Sequence, residues 1–233
     1  MVKYDNQRKN VLNASLWLLE HGYFGSQRGT GGNVSVRIDD KHAFAITPTS
    51  AKYQELSVDD ICVVSFDLSV IEGKENLKPS VESGMHGIIY RMRPDVNAVV
   101  HTHQLFGSVF ALINEPIPPL FDETSFSLGH TIEVVPYALS GSEELVKNVE
   151  GRLSNNANAY IIQNHGILAL GKNLDKALLN VELLEKAAQT YCLALSTGKV
   201  IHTLPESVRD MVFALRNQEV EDAREKMNKK EQP

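Results

Sequence analysis

Several features that mark particular protein classes are scarce or missing in this chain. It has two cysteines, Cys62 and Cys192, in no metal-ligand spacing. That excludes a disulfide-stapled scaffold and a cysteine zinc cluster, and suits free thiols in a reducing compartment. No apolar run approaches the roughly 20 residues that span a bilayer. The N-terminal MVKYDNQRKN lacks the charged-then-apolar layout of a signal peptide. Excess positive charge is also missing: 23 Lys and Arg face 29 Asp and Glu, a net charge of −6. That leaves no footprint for nucleic acid or an anionic membrane surface. No repeat or low-complexity linker divides the chain. These absences predict a soluble cytoplasmic protein forming one domain over residues 1–233, with a core at about 8–198 and a tail at about 205–233.

What is present fits a globular enzyme-sized domain. The chain has 233 residues, 42% apolar and 22% charged, enough to bury a sizeable core unaided. Val11, Leu12, Ser15, Leu16, Leu18 and Leu19 predict a helix over 6–21, stopped at Gly22. After the glycine-rich GSQRGTGGN come short strands at Val34–Ile38, AFAIT and ICVVSFD, then a loop, EGKENLKPS. A helix over about 80–92 stops before Pro94, whose ring disfavours helix in the preceding residue. NAVVHTH, TIEVVPY, AYIIQNH and ILALG are further strands, with helices at 105–113 and about 142–153. The longest predicted helix is capped by Asn173 and runs to Gly198; the tail has a weaker helix and a frayed, charged end. Several strands are too close together for crossover helices, so an α/β layered domain with a largely antiparallel sheet is expected.

Three histidines are candidate metal ligands. In VVHTHQLFG, His101 and His103 lie at i and i+2, on one face of a strand's end. His165, in IIQNHGILALG, repeats the setting: an apolar strand, a histidine, a glycine. Three imidazoles suit a catalytic metal site with one position open, though H-x-H also occurs where histidines merely end a strand. Glu82, in PSVESGMH, reads either as a helix-start acid or as a catalyst. His86, one turn on, is expected to be a hydrogen-bonded core histidine. His21, His42 and His202 sit in polar stretches, and His130 has no evident role. GTGGN lacks the lysine of a phosphate-binding P-loop and the spacing of a dinucleotide fingerprint, leaving a glycine-rich turn whose N–H groups can line an anion site.

Taken in order, G-x-x-G-N-x-S, ITPTS, KPSVE, RPDVNAVVHTH, IPP and NHG resemble the class II aldolase/adducin family over about residues 8–198. The resemblance implies a three-layer α/β/α domain around a large, mainly antiparallel sheet, assembled as a homotetramer with active sites near subunit interfaces. It implies metal ligation by His101, His103 and His165 at the sheet's edge, with Zn2+ as the ion, or Co2+ or Mn2+ in its place. It puts the catalytic glutamate at Glu82 and substrate phosphate binding at Gly32, Asn33, Thr49, Ser50, Ser80 and position 81. Ser50 stands where glycine is usual, and Val81 where serine is. The family aldolases' tyrosine aligns with Asp122, followed by Glu123, and no tyrosine follows Tyr191. Asp122 and Glu123 are therefore either solvated or a second acid/base opposite Glu82.

The activity implied is cleavage of a ketose 1-phosphate, fuculose phosphate-like or a 5-deoxypentulose or 5-methylthioribulose 1-phosphate, to dihydroxyacetone phosphate and an aldehyde. Among the family's other activities, epimerases place an aspartate at the Glu82 position and methionine-salvage dehydratases have no glutamate there. Metal-dependent decarboxylases keep an acid and form the alternative. Adducin-like structural members lack the histidines that this chain has.

Overall fold

The computed structural model describes residues 4–38 and 42–231. One eight-stranded sheet runs through the molecule in the order β4-β3-β2-β1-β5-β8-β7-β6. Its strands are β1 (Asn33–Ile38), β2 (Ala43–Ile46), β3 (Cys62–Ser65), β4 (Val70–Glu72), β5 (Ala98–Thr102), β6 (Glu133–Val135), β7 (Ala159–Ile162) and β8 (Gly166–Gly171). All adjacent pairs are antiparallel except β6 with β7, as the short connections required. β4 was not anticipated; SVIEG is a polar edge segment whose exposed Val70 and Ile71 show no buried alternation.

Strand alternation sorts the core into layers. On one face, Phe44, Ile46, Val64 and Leu168 pack with α2 (Ser83–Met92) and α5 (Glu143–Glu150). On the other, Ala43, Ala45, Val63, Val100 and Ala169 meet α1 (Asp5–Glu20) and α6 (Leu174–Ser196). Along α6, Leu183 and Leu184 extend this layer to α3 (Leu105–Ile113) and α4 (Asp122–Leu128), which cover Ile161 and Ile167. The strands are short apolar runs because both sheet faces are covered.

Several local signals act as anticipated. The Asn173 side chain accepts from the Lys176 N–H and caps α6, and α2 ends before Pro94. The tail differs: α7 (Glu206–Glu231) is one helix of 26 residues, longer than the 23 of α6. Its burial at Val212 and Val220 is too sparse to mark an apolar stripe in the sequence. Paired charges such as Arg224 with Glu221 and Lys229 with Glu225 support it instead. Both cysteines are free thiols, Cys62 buried and Cys192 half-buried. No helix among the described residues is long and apolar enough to cross a membrane.

Candidate active site

Hydrogen-bond register brings the three histidines together. β5 pairs antiparallel with β8, so Thr102 stands opposite Ile167 and the end of β5 meets the start of β8. His103 follows β5, and His165 occupies the three-residue hairpin between β7 and β8. Asn164 in that turn has φ 53, a left-handed conformation that asparagine tolerates. The site therefore sits at the ends of two central strands, not on an edge strand.

The three ligand atoms lie within 4.8 Å of one another, and the Nε2 atoms of His101 and His103 are 3.0 Å apart. His101 donates its Nδ1–H to the Ile167 carbonyl at 2.8 Å, leaving the Nε2 lone pair facing the cluster. Burial lowers the His101 pKa and takes His103 down to about 3, so both rings are neutral at pH 7. Three imidazoles converging on one point are the donor set a small divalent ion takes. Ligands about 2.0–2.1 Å from a tetrahedral ion stand about 3.3 Å apart, near the 3.0 Å of the His101–His103 pair.

Glu82 faces this cluster from the start of α2, buried at 5% exposure. Its Oε1 lies 3.1 Å from His165 Nε2 and its Oε2 3.4 Å from His101 Nε2. Asn33 donates to Oε2 at 2.7 Å and Ser140 donates to Oε1 at 2.8 Å. Burial opposes the charge, but the histidines beside it and the hydrogen bond from Ser140 outweigh it and hold the Glu82 carboxyl well below the usual carboxylate range.

Behind Asn33 lies a buried relay. The carboxylate can only accept, so Asn33 presents its amide nitrogen there and its oxygen accepts from His86 Nε2–H at 2.5 Å. His86 Nδ1 then accepts from the Ser35 hydroxyl at 2.6 Å, and Tyr90 donates to that hydroxyl at 2.7 Å. His86 is the core histidine expected, with its pKa lowered by burial to about 3.

The residues aligned with phosphate binding gather beside this cluster. Asn33 stands opposite His101 in the β1–β5 ladder. Pro48 bridges Pro79, and Ser80 N–H donates to the Thr47 carbonyl at 3.1 Å, bringing the segment after β2 against the start of α2. Thr49 spends its N–H on the Lys78 carbonyl, while Ser50 is exposed with φ 54. Ser80 is buried, its hydroxyl accepting from Glu82 N–H at 3.2 Å; Val81 is 61% exposed.

Sequence reading missed what the glycines do for the histidines. A Cβ on Gly32 would lie 2.4 Å from the Phe24 ring and 2.6 Å from the His101 carbonyl; one on Gly31 would lie 2.8 Å from His103 Nδ1. On Gly166 it would sit 2.5 Å from the Thr102 carbonyl and 2.6 Å from His103 Cδ2. Tyr53, stacked on Phe24, donates its hydroxyl to the Gly32 carbonyl at 2.6 Å and fixes the loop. The signal was there in NHG and GTGGN, but a glycine's neighbours are set only by the fold.

Asp122 and Glu123 occupy the exposed first turn of α4, where Lys186 of α6 donates to Glu123 at 3.0 Å. Among the described residues, no hydrogen bond or ion pair joins either acid to Glu82 or the histidines. His21, His42 and His202 are exposed and His130 is half-buried. A separate cavity of about 900 Å³, lined by Asp95, Asn97, Lys172 and Arg216 among others, contains none of the three histidines.

The family profile described as Class II Aldolase and Adducin N-terminal domain matches residues 9–192. L-fuculose phosphate aldolase of Escherichia coli is 35% identical over 188 residues, covering 81% of this chain and 85% of that protein. A 5-deoxy-D-ribulose 1-phosphate aldolase of Bacillus thuringiensis is 34% identical over 176 residues, covering 75% and 80%. A solved L-fuculose 1-phosphate aldolase superposes with a TM-score of 0.82 at 32% identity, covering 90% of this chain and 95% of its own. With the profile spanning most of the chain, this protein belongs to the class II aldolase/adducin family.

Proposed function

We propose that this chain is a metal-dependent class II aldolase that cleaves a ketose 1-phosphate to dihydroxyacetone phosphate and an aldehyde. The observation carrying this reading is Glu82, held as a carboxylate against three clustered imidazoles. His101, His103 and His165 hold the ion, zinc by preference, with cobalt or manganese also compatible with imidazole. The bound ion supplies a Lewis acid where oxyanion charge develops.

The chain's own residues do the rest. Cleavage breaks the bond between C3 and C4 of the ketose: the C4 hydroxyl gives its proton to solvent as its oxygen becomes the aldehyde carbonyl, and the bond's electron pair stays with C3 as an enediolate. Glu82 takes up a proton from solvent and passes it to that carbon, completing dihydroxyacetone phosphate. In condensation the same carboxylate removes that proton. Gly32, Asn33, Thr49, Ser50 and Ser80 bind the phosphate, Thr49 through its hydroxyl because its N–H is engaged. Val81 in place of a phosphate-binding serine, and the likeness to a 5-deoxy-D-ribulose 1-phosphate aldolase, favour a 5-deoxypentulose 1-phosphate or its 5-methylthio analogue. Exposed Leu105, Leu112 and Ile113 on α3 support burial of that helix in a homotetramer.

The test mixes zinc-loaded protein with dihydroxyacetone phosphate and a panel of aldehydes. Condensation that is lost in Glu82→Gln and after chelation supports the aldolase. Carbon dioxide release from hydroxy or oxo acids without any condensation refutes it in favour of a decarboxylase.

A further inference from the structure

We propose that Ser140 is a positioning residue for the Glu82 carboxylate, carried by a turn built to reach it. The inference rests on the reading of Glu82 as the proton carrier. Two independent observations support it. First, Glu82 is held from two sides, by Asn33 on Oε2 and by the Ser140 hydroxyl on Oε1 at 2.8 Å. Asn33 is locked by the buried His86–Ser35–Tyr90 relay; Ser140 comes from an exposed loop between β6 and α5.

Second, that loop is shaped to approach. Gly141 adopts φ +75, and a Cβ there would lie 3.0 Å from the carbonyl oxygen of Val81, the residue before Glu82. Only glycine accepts both the left-handed backbone and so tight a contact. The turn is pinned on its far side: Ser142 N–H donates to the Leu139 carbonyl at 3.0 Å, and the Ser142 hydroxyl caps α5 by accepting from Leu145 N–H. Ser140 thus reaches Glu82 from a braced turn.

His165 Nε2 also lies 3.1 Å from Oε1, but a bound ion would engage that nitrogen, and without Ser140 the carboxylate, held by Asn33 on Oε2, can then rotate about its last torsion. The Ser140 hydroxyl fixes that rotation, which sets the direction of the lone pair toward the substrate carbon. Such a group affects turnover and leaves substrate and metal binding alone.

The experiment compares zinc-loaded wild type, Ser140→Ala, Ser140→Thr and Glu82→Gln. It measures steady-state aldol cleavage and the exchange of solvent deuterium into dihydroxyacetone phosphate, a reading of proton transfer alone. Zinc affinity is measured on the metal-free proteins by competition with a chromogenic chelator. Ser140→Ala is expected to lower kcat and the exchange rate at least tenfold, with KM and zinc affinity within threefold of wild type. Ser140→Thr, which keeps the hydroxyl, is expected to restore both rates to within threefold. Wild-type rates in Ser140→Ala beside an inactive Glu82→Gln would refute the role of Ser140 and leave that of Glu82 standing. A loss that tracks weakened zinc binding, or one that threonine fails to rescue, also refutes it. Exchange that survives in Glu82→Gln refutes the proton-carrier reading itself.

Discussion

Gly166→Ala tests whether the metal cluster is assembled by close packing of backbone and rings. The native φ of Gly166 is not in the left-handed region, so alanine is compatible with the backbone and only space is at issue. The new methyl would lie 2.5 Å from the Thr102 carbonyl oxygen, 2.6 Å from His103 Cδ2 and 3.0 Å from His101 Cε1, where ordinary contact begins at 3.4 Å. The Thr102 carbonyl belongs to the β5–β8 ladder in mid-sheet and has little freedom. The His103 ring must then give way by the shortfall, 3.4 − 2.6 = 0.8 Å. Metal sites tolerate about 0.2 Å in ligand distance, so the displaced ring leaves the ion. Overpacking of this kind costs about 1–3 kcal/mol, which for a chain of this size lowers Tm by about 2–12 °C. Thermal unfolding of the metal-free protein and zinc competition against a chelator read the two effects separately. Zinc affinity is expected to fall at least tenfold. Wild-type Tm together with wild-type zinc affinity in Gly166→Ala would refute the packing argument.

Three further outcomes follow from the buried polar groups and the surface acids. His86 has its pKa depressed from 6.5 to about 3, so between those values the unfolded chain binds a proton that the folded chain refuses. Stability should therefore fall as pH drops from 6.5, by up to about 5 kcal/mol from this group. Denaturant midpoints that stay level from pH 7 to 4 would rule this out. Arg93 is 1% exposed, bidentate to Asp95 and bonded to the Ala157 carbonyl and Asn158. Arg93→Leu strands these partners and should cost about 3–5 kcal/mol, measured by urea unfolding. Glu123→Gln removes an exposed pair with Lys186 and should change stability by less than about 0.5 kcal/mol. Its kcat should stay within threefold of wild type; a hundredfold loss would instead make Glu123 the second acid/base.

Local chemistry in the chain determined most of the elements. Short apolar strands, the Asn173 cap, the stop before Pro94 and the tight strand spacing all follow from backbone sterics and hydrophobic burial, which act over a few residues. β4 and the full length of α7 escaped because an exposed edge and a mostly charged helix carry no burial pattern. The histidine triad was visible as two strand-end motifs, but no residue spacing sets the distance from His165 to His101; the β5–β8 register does. Likewise Glu82 could be named from its motif, whereas Ser140 lies 58 positions away and had no motif to announce it. The sequence by itself determined which side chains were available and which strands they would end. Only the tertiary structure decided which of them meet, because a hydrogen-bond ladder and a glycine's missing methyl group set distances that no local pattern encodes.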